Sequence, residues 1–357
     1  MHFVKKTDYD HDLDLLPRPL ARFWYALLAL ALLGLPFIAP PYLVSQATFV
    51  GIFCVAGLGL ALLTGYTGQL SLGHAAFMAI GAYACAVLQG LGLPFVLALP
   101  AAALIAAASG LVVGLPALRL SGMYLAIATL AFAFIIEEVI ARWDAVTRGA
   151  SGLNVPRPSV FGLAIDSGTR LYFVVLIVAV LAMLLVRNLL RSPIGQAFVA
   201  VRESSIAAQS LGVPVARVKL VAFSLSAALT GLGGALYAQA IRFISPDQFG
   251  IGLSVELLVV IFVGGIGTLH GILFGAVFII VLPQAISFVK DALPAALAGQ
   301  TGLQSAIYAL VLLLFILFEP QGLAGLWFKL KHYCTRFPWY RKGSLKRTRA
   351  YARSETW

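Results

Sequence analysis

Long apolar runs alternate with short polar breaks along this chain, and the lengths of the runs say what they are. Ten stretches, about 22–39, 43–64, 70–90, 93–115, 121–141, 170–190, 217–241, 253–267, 270–290 and 302–319, carry few charges, most of them near the ends. A helix needs about 20 apolar residues to cross the hydrocarbon core of a bilayer. The runs are continuous rather than alternating in polarity, which argues for helices and against a transmembrane barrel. The pattern predicts an all-α, polytopic membrane helix bundle of about ten transmembrane helices. The run at 253–267 is short, and its link to the next is almost absent.

Residues 188–219 form the one long polar break, and they are written as a helix with both ends marked. Ser192 suits an N-cap, and Pro193 suits the first helical position, where its missing N–H costs nothing. Gly212 followed by Pro214 supplies the stop. Ala197, Val201, Ser204, Ala208 and Leu211 recur at steps of four and three and line up one small-to-apolar stripe, while Arg202, Ser205 and Gln209 fall on another face. The expectation is one amphipathic helix over about 193–212, held at the membrane surface to dock something outside the bilayer.

Composition sharpens this. The chain has 357 residues, is 61% hydrophobic and 11% charged, and has a mean hydropathy of +0.96. Soluble domains carry about 25% charged residues, so a soluble fold is excluded. Ten spans put both termini on one side, and positive charge chooses the side. Of the 25 Lys and Arg residues, 19 fall with the termini and the 188–219 break, which places these in the cytoplasm. Residues 1–21 then read as a cytoplasmic N-terminal tail, 22–319 as the transmembrane domain and 320–357 as a basic cytoplasmic C-terminal tail. The net charge of +11 points to anionic membrane lipids and not to nucleic acid. No cleavable signal is expected at the N-terminus. Cys54, Cys85 and Cys334 have no spacing that suits a metal or a disulfide framework.

Glycines four apart, Gly110 with Gly114 and Gly267 with Gly271 and Gly275, are expected on helices that approach closely, and Gly231-Leu-Gly-Gly234 does similar work. Thr64-Gly-Tyr-Thr-Gly-Gln-Leu-Ser-Leu-Gly-His74 differs, bringing hydroxyls, an amide and an imidazole between two apolar runs. It is either a tight turn at the cytoplasmic face or a broken helix whose free N–H groups face a solute, since irregular backbone at membrane depth survives only when buried or lining a cavity. Gly264-Gly-Ile-Gly-Thr-Leu-His-Gly271 has a similar shape in the second half, and paired interruptions point to a translocation path. Gln69, Ser71 and His74, with Thr129 and Thr268, are therefore expected to border that path, because such groups in apolar surroundings are costly unless bonded or hydrated.

These residues carry a resemblance. Gly65-Tyr-Thr-Gly-Gln-Leu-Ser-Leu-Gly-His-Ala-Ala-Phe77, Gly122-Met-Tyr-Leu-Ala-Ile-Ala-Thr-Leu-Ala-Phe132, Thr147-Arg-Gly-Ala-Ser-Gly-Leu153, Ser192-Pro-Ile-Gly-Gln-Ala197, Val263-Gly-Gly-Ile-Gly-Thr-Leu-His-Gly271 and Phe318-Glu-Pro-Gln-Gly-Leu-Ala-Gly-Leu326 together resemble the larger of the two paralogous permeases of branched-chain amino acid ABC importers. The likeness runs from about residue 40 to 326 and implies a type II ABC importer-like fold in the bacterial inner (plasma) membrane. It implies as partners a paralogous permease subunit in a heterodimer, two cytoplasmic ATPase subunits and a periplasmic solute-binding protein. The 188–219 helix becomes the coupling helix, in a family whose pattern is often Glu-Ala-Ala-x-x-x-Gly. Ala207, Ala208 and Gly212 fit that pattern, Ile206 stands where the acid would be, and Arg202 and Glu203 are left to supply charged contacts. The chain has no Gly-x-x-x-x-Gly-Lys-Ser/Thr phosphate loop, so no cofactor is expected on it, and ATP and Mg belong to the partner subunits.

Other readings stay open at this point. Permeases of the same family that serve urea, amides or aromatic acids would look alike. An ion-coupled secondary transporter would place ionisable groups near the midplane, whereas Glu137, Glu138, Glu256 and Glu319 sit near predicted span ends. An intramembrane serine protease would use Gly149-Ala-Ser151-Gly152 with His270 as base, although Ser151 is expected in an outer loop beside Arg142, Asp144 and Arg148. His74 and His270, both beside glycine turns, are either hydrogen-bonded structural groups or solute contacts.

Overall fold

The computed structural model describes residues 19–160, 163–164, 168–291, 302–319 and 321–336. Its helices are α1 (Pro19–Ile38), α2 (Pro41–Leu60), α3 (His74–Gly90), α4 (Phe95–Ala117), α5 (Met123–Arg142), α6 (Gly168–Arg191), α7 (Pro193–Glu203), α8 (Ser205–Ser210), α9 (Val215–Ile241), α10 (Ile251–Gly264), α11 (Leu269–Asp291), α12 (Leu303–Phe318) and α13 (Gly322–Arg336). Each apolar run coincides with one of these helices. Seven spans, beginning at Pro41, Phe95, Met123, Gly168, Val215, Pro246 and Leu269, are long and apolar enough to cross a membrane. Ala26–Ile38, His74–Gly90 and Ser305–Phe315 are shorter apolar helices.

α9 is the centre of the bundle and packs against α2, α3 and α4. Its small residues explain how three helices fit around one. A methyl group on Gly233 would lie 2.8 Å from Ala56 Cβ on α2, and one on Gly110 of α4 would lie 2.6 Å from Ala227 Cβ on α9. A methyl on Gly81 of α3 would meet the Gly231 backbone, and one on Gly234 would meet the Met78 carbonyl. Backbones that approach this closely gain dispersion contact where lipid offers no hydrophobic drive. On the opposite faces Leu30, Leu104, Val112 and Ile177 are exposed, as lipid-facing side chains should be. Gly234→Val is expected to destabilise the α3–α9 contact by about 1–3 kcal/mol or more, because backbone rather than a flexible side chain must give way. Loss of the monodisperse subunit after detergent extraction checks this.

The glycine expectation holds for Gly271 and Gly275, whose added methyls would meet the Gly264 and Val260 carbonyls of α10. It fails for Gly267, which has φ 78° and lies in the turn between α10 and α11. Two further differences matter. The expected helix over 193–212 is broken at Ser204, whose extended backbone (φ −160°, ψ 112°) ends α7 and whose hydroxyl accepts the N–H of Ala207 to start α8. The expected tail from 320 contains α13, which packs on α10 and α11, while residues 1–18 and 337–357 lie outside the described residues.

At the end away from α7 and α8, the loop after α5 folds back on the bundle. A helical turn (Asp144–Thr147) precedes strand β1 (Leu153–Asn154), and strands β2 (Ser159–Val160) and β3 (Leu163–Ala164) pair with each other. β1 pairs antiparallel with β4 (Phe243–Ile244), in the register Leu153 with Ile244 and Asn154 with Phe243. Ser151 sits in this loop, whereas His270 opens α11 beyond the far end of α10. The two cannot form a nucleophile and base.

Candidate functional site

Two breaks in the helical pattern lie side by side at the end carrying α7 and α8. The first follows α2. The helix widens into a π-helical turn over Ala61–Tyr66, a form that is rare and recurs at functional sites. Irregular backbone then runs to His74. Thr67 donates to the Leu63 carbonyl at 2.5 Å, the Gln69 N–H reaches the same carbonyl at 3.1 Å, and Thr64 donates to the Gln69 carbonyl at 3.1 Å. The segment is thus a built turn with its own bonds.

The start of α3 decides between the tight turn and the broken helix. Helix N-termini leave N–H groups without intrahelical partners. Here hydroxyls accept them, two of the three from other helices. The Leu72 N–H donates to Thr129 Oγ1 on α5 at 3.0 Å, the Ala75 N–H to Ser254 Oγ on α10 at 3.0 Å, and the Gly73 N–H to Ser71 Oγ at 3.4 Å. The break is buried in protein and its first amides are occupied.

His74 is fully buried and both ring nitrogens are bonded, to Ser71 Oγ at 2.9 Å through Nδ1 and to Ser226 Oγ at 2.7 Å through Nε2. Ser226 gives its own proton to the Gly59 carbonyl at 2.7 Å, so it accepts the Nε2–H of His74. One chain of hydrogen bonds joins α2, α3 and α9 through this imidazole. Ser226→Ala would leave Nε2–H buried without an acceptor, at a cost of about 1–3 kcal/mol. A lowered unfolding temperature of the assembled complex checks this.

The structure therefore brings Ser71, His74 and Thr129 together around the start of α3 and buries Gln69 in the turn before it. Ser226 and Ser254 complete the group and were not singled out from sequence. Their signal was a hydroxyl inside an apolar run, which needs a partner. Gln69 stands apart from the others. Its Nε2 donates to Thr67 Oγ1 at 3.2 Å, but its Oε1 is buried with no hydrogen-bond partner among the described residues.

Thr268 belongs to the second break, where its hydroxyl donates to the Gly265 carbonyl at 3.0 Å. The two breaks touch: a methyl on Gly65 would lie 3.1 Å from the Gly267 nitrogen. On its other side the second break meets the start of α13, where a methyl on Gly265 would lie 2.8 Å from the carbonyl of the preceding Gln321 and 3.0 Å from Ala324 Cβ.

α7 and α8 cover this end. Ser192 caps α7 by accepting the Gly195 N–H, and Phe198 and Val201 are buried against the bundle. Ala208 buries α8, and Gly212, with φ 85°, turns the chain toward α9. Glu203 and Ala207 are exposed, and so are Ile206 and Leu211, at 84% and 83%. Arg202 is exposed too, with 41% of its side chain accessible, but its Nη1 donates to the Gly65 carbonyl at 2.8 Å. Its contact with Glu203 is loose, 4.0 Å.

Glu256 lies elsewhere than its sequence position suggested. It falls near the middle of the Pro246–Gly264 span rather than at an end, on an exposed face with Gly252 and Val255.

A family model described as branched-chain amino acid transport system / permease component matches residues 42–318. The permease protein LivM of the high-affinity branched-chain amino acid transport system of Salmonella typhimurium is 35% identical over 326 residues, covering 84% of this chain and 74% of that protein. LivM of Escherichia coli K12 gives the same identity and coverage. The autoinducer 2 import system permease protein LsrC of Klebsiella pneumoniae is 38% identical over 108 residues, 28% of this chain and 31% of its own length. No solved structure matches the chain.

Proposed function

We propose, from the premise that the chain belongs to the branched-chain amino acid transport system permease family, that it forms half of an ATP-driven pathway importing branched-chain or related amino acids. The other half is a paralogous permease, a periplasmic binding protein delivers the solute, and two cytoplasmic ATPases supply the work. The chain is a multi-pass membrane protein, and its α7–α8 end lies in the cytoplasm with both termini.

The observation that carries the coupling reading is the outward display of Ile206, on a short helix anchored by Ala208, and of Leu211 directly after it. Two large apolar side chains exposed outside the membrane spans fit insertion into a groove of a soluble partner. Glu203 and Ala207 sit beside them, and Gly212 sets the exit of α8. The break at Ser204 leaves α8 as a separate unit that moves with its partner. ATP and Mg are bound and used by the ATPases. Disulfide trapping tests the docking: Leu211→Cys is expected to cross-link to a cysteine in the ATPase groove, and loss of the cross-link on ATP binding or none at all would count against it.

Gln69 supports the pathway reading, because a buried carbonyl oxygen without a donor is met when water or a solute ammonium passes. Ser71, His74, Thr129 and Thr268 border the path by holding the two breaks in place beside it. Glu256 supports the paralogous partner. A carboxylate facing lipid at mid-span costs about 2.5–3.5 kcal/mol on insertion scales, so its face of α10 belongs at a protein seam or a watery path. Val255→Cys, exposed on the same face, is expected to cross-link to the paralogous permease and not to a lipid-soluble probe.

A further inference from the structure

We infer that Arg202 is a strut that carries movement of α7 and α8 to both helical breaks at once, acting inside the subunit and not at the ATPase surface. The inference rests on the coupling role proposed for α7–α8 and assigns the step that follows docking.

The geometry is specific. Arg202 lies in the last turn of α7, two residues before the Ser204 joint. Its stem lies along the first break: a methyl on Gly68 would be 3.2 Å from Arg202 Cγ and 3.6 Å from its Cβ. Its head reaches the end of the π-helical turn, where Nη1 donates to the Gly65 carbonyl at 2.8 Å. The same nitrogen borders the second break, 3.2 Å from where a methyl on Gly267 would stand. Gly68 and Gly267 have φ of 69° and 78°, so both are positions that glycine fills without strain, and neither carries a side chain that would keep the arginine away.

The chemistry suits a strut. A guanidinium is planar, permanently charged and rich in donors, so it holds a carbonyl in a fixed direction. The Gly65 carbonyl lies at the C-terminal end of a long helix, where the partial negative charge of the backbone favours a cation. Glu203 competes weakly, being exposed and 4.0 Å away. α7 is itself keyed to the bundle by Phe198 and Val201, so a tilt of α7 moves the guanidinium, and the guanidinium moves Gly65 and Gly267 together. Those two residues adjoin the turn that holds Gln69 and the turn that holds Thr268.

Two variants test it in the complete complex of both permeases and both ATPases. Arg202→Gln keeps part of the stem and removes the guanidinium. It is expected to leave assembly and ATP hydrolysis in place and to lower solute moved per ATP about tenfold, the factor that 1.4 kcal/mol represents. Gly68→Cys with Arg202→Cys ties α7 to the first break by a bond, since their Cβ separation of 3.6 Å is within disulfide reach. The reduced pair is expected to be uncoupled, and oxidation, which leaves the second break untied, is expected to restore part of the ratio. Backbone strain at Gly68 is the same in both states and cancels. An unchanged ratio in Arg202→Gln, or a double variant that oxidation leaves uncoupled, overturns the strut. Gly212→Leu separates this from the docking reading: if it uncouples while Arg202→Gln does not, docking stands and the strut falls.

Discussion

Gly212→Leu is expected to leave the subunit inserted and assembled but to cut ATP-driven uptake about tenfold or more, while the ATPases continue to hydrolyse ATP. Nothing lies within 4 Å of a methyl placed on Gly212, so the variant creates no clash. Its effect comes from the backbone. Gly212 has φ 85°, and a side chain there costs roughly 1–2 kcal/mol, which the turn relieves by rotating. Leu211 is the adjacent residue and is 83% exposed, so any rotation re-aims the docking face of α8 without touching the buried Ala208 or the bundle. Parallel measurement of uptake and phosphate release in reconstituted vesicles checks it. Normal uptake per ATP would remove α8 from the coupling mechanism.

Gln69→Leu is the second large effect, and its sign is unusual. The substitution removes a buried oxygen that has no donor among the described residues, a group that costs about 1–3 kcal/mol when left unpaired. Stability is therefore expected to hold or rise. Uptake is expected to fall at least about tenfold, 1.4 kcal/mol in the transport step, because an apolar side chain would stand where the path needs a polar acceptor. A structural role for Gln69 predicts the reverse pairing, with lost assembly or a lowered unfolding temperature. Ser71→Leu, by contrast, breaks the bonds to His74 and the Gly73 N–H and is expected to destabilise the subunit, which makes Gln69 the cleaner probe.

What could be read from sequence was local. The apolar runs gave the helices because span length is set by the bilayer and not by tertiary contacts. Ser192, Pro193 and Gly212 marked the ends of the α7–α8 segment because capping depends on neighbours a few residues away. The break at Ser204 was missed because a serine on an apolar stripe fits a helix interior as well as a cap, and only its extended backbone separates the two. His74 was legible as polar and buried, but its partner Ser226 lies on another helix, and no periodicity links them. The family resemblance offered Arg202 as a docking charge because Ile206 stands where the acid would be. Its bond to the Gly65 carbonyl in the π-helical turn was not legible, because the two glycines that leave room for the side chain lie in distant segments. Glu256 was placed near a span end because the helical turn at Pro246–Phe249, which extends that span, is not apolar enough to count in the run.

The most direct test is uptake of labelled leucine by vesicles that hold this chain with its paralogous permease and both ATPases, with binding protein and leucine outside and ATP inside. The account predicts accumulation that requires internal ATP and the binding protein, with no need for a sodium or proton gradient. Accumulation that persists without the ATPases when an ion gradient is imposed would contradict it.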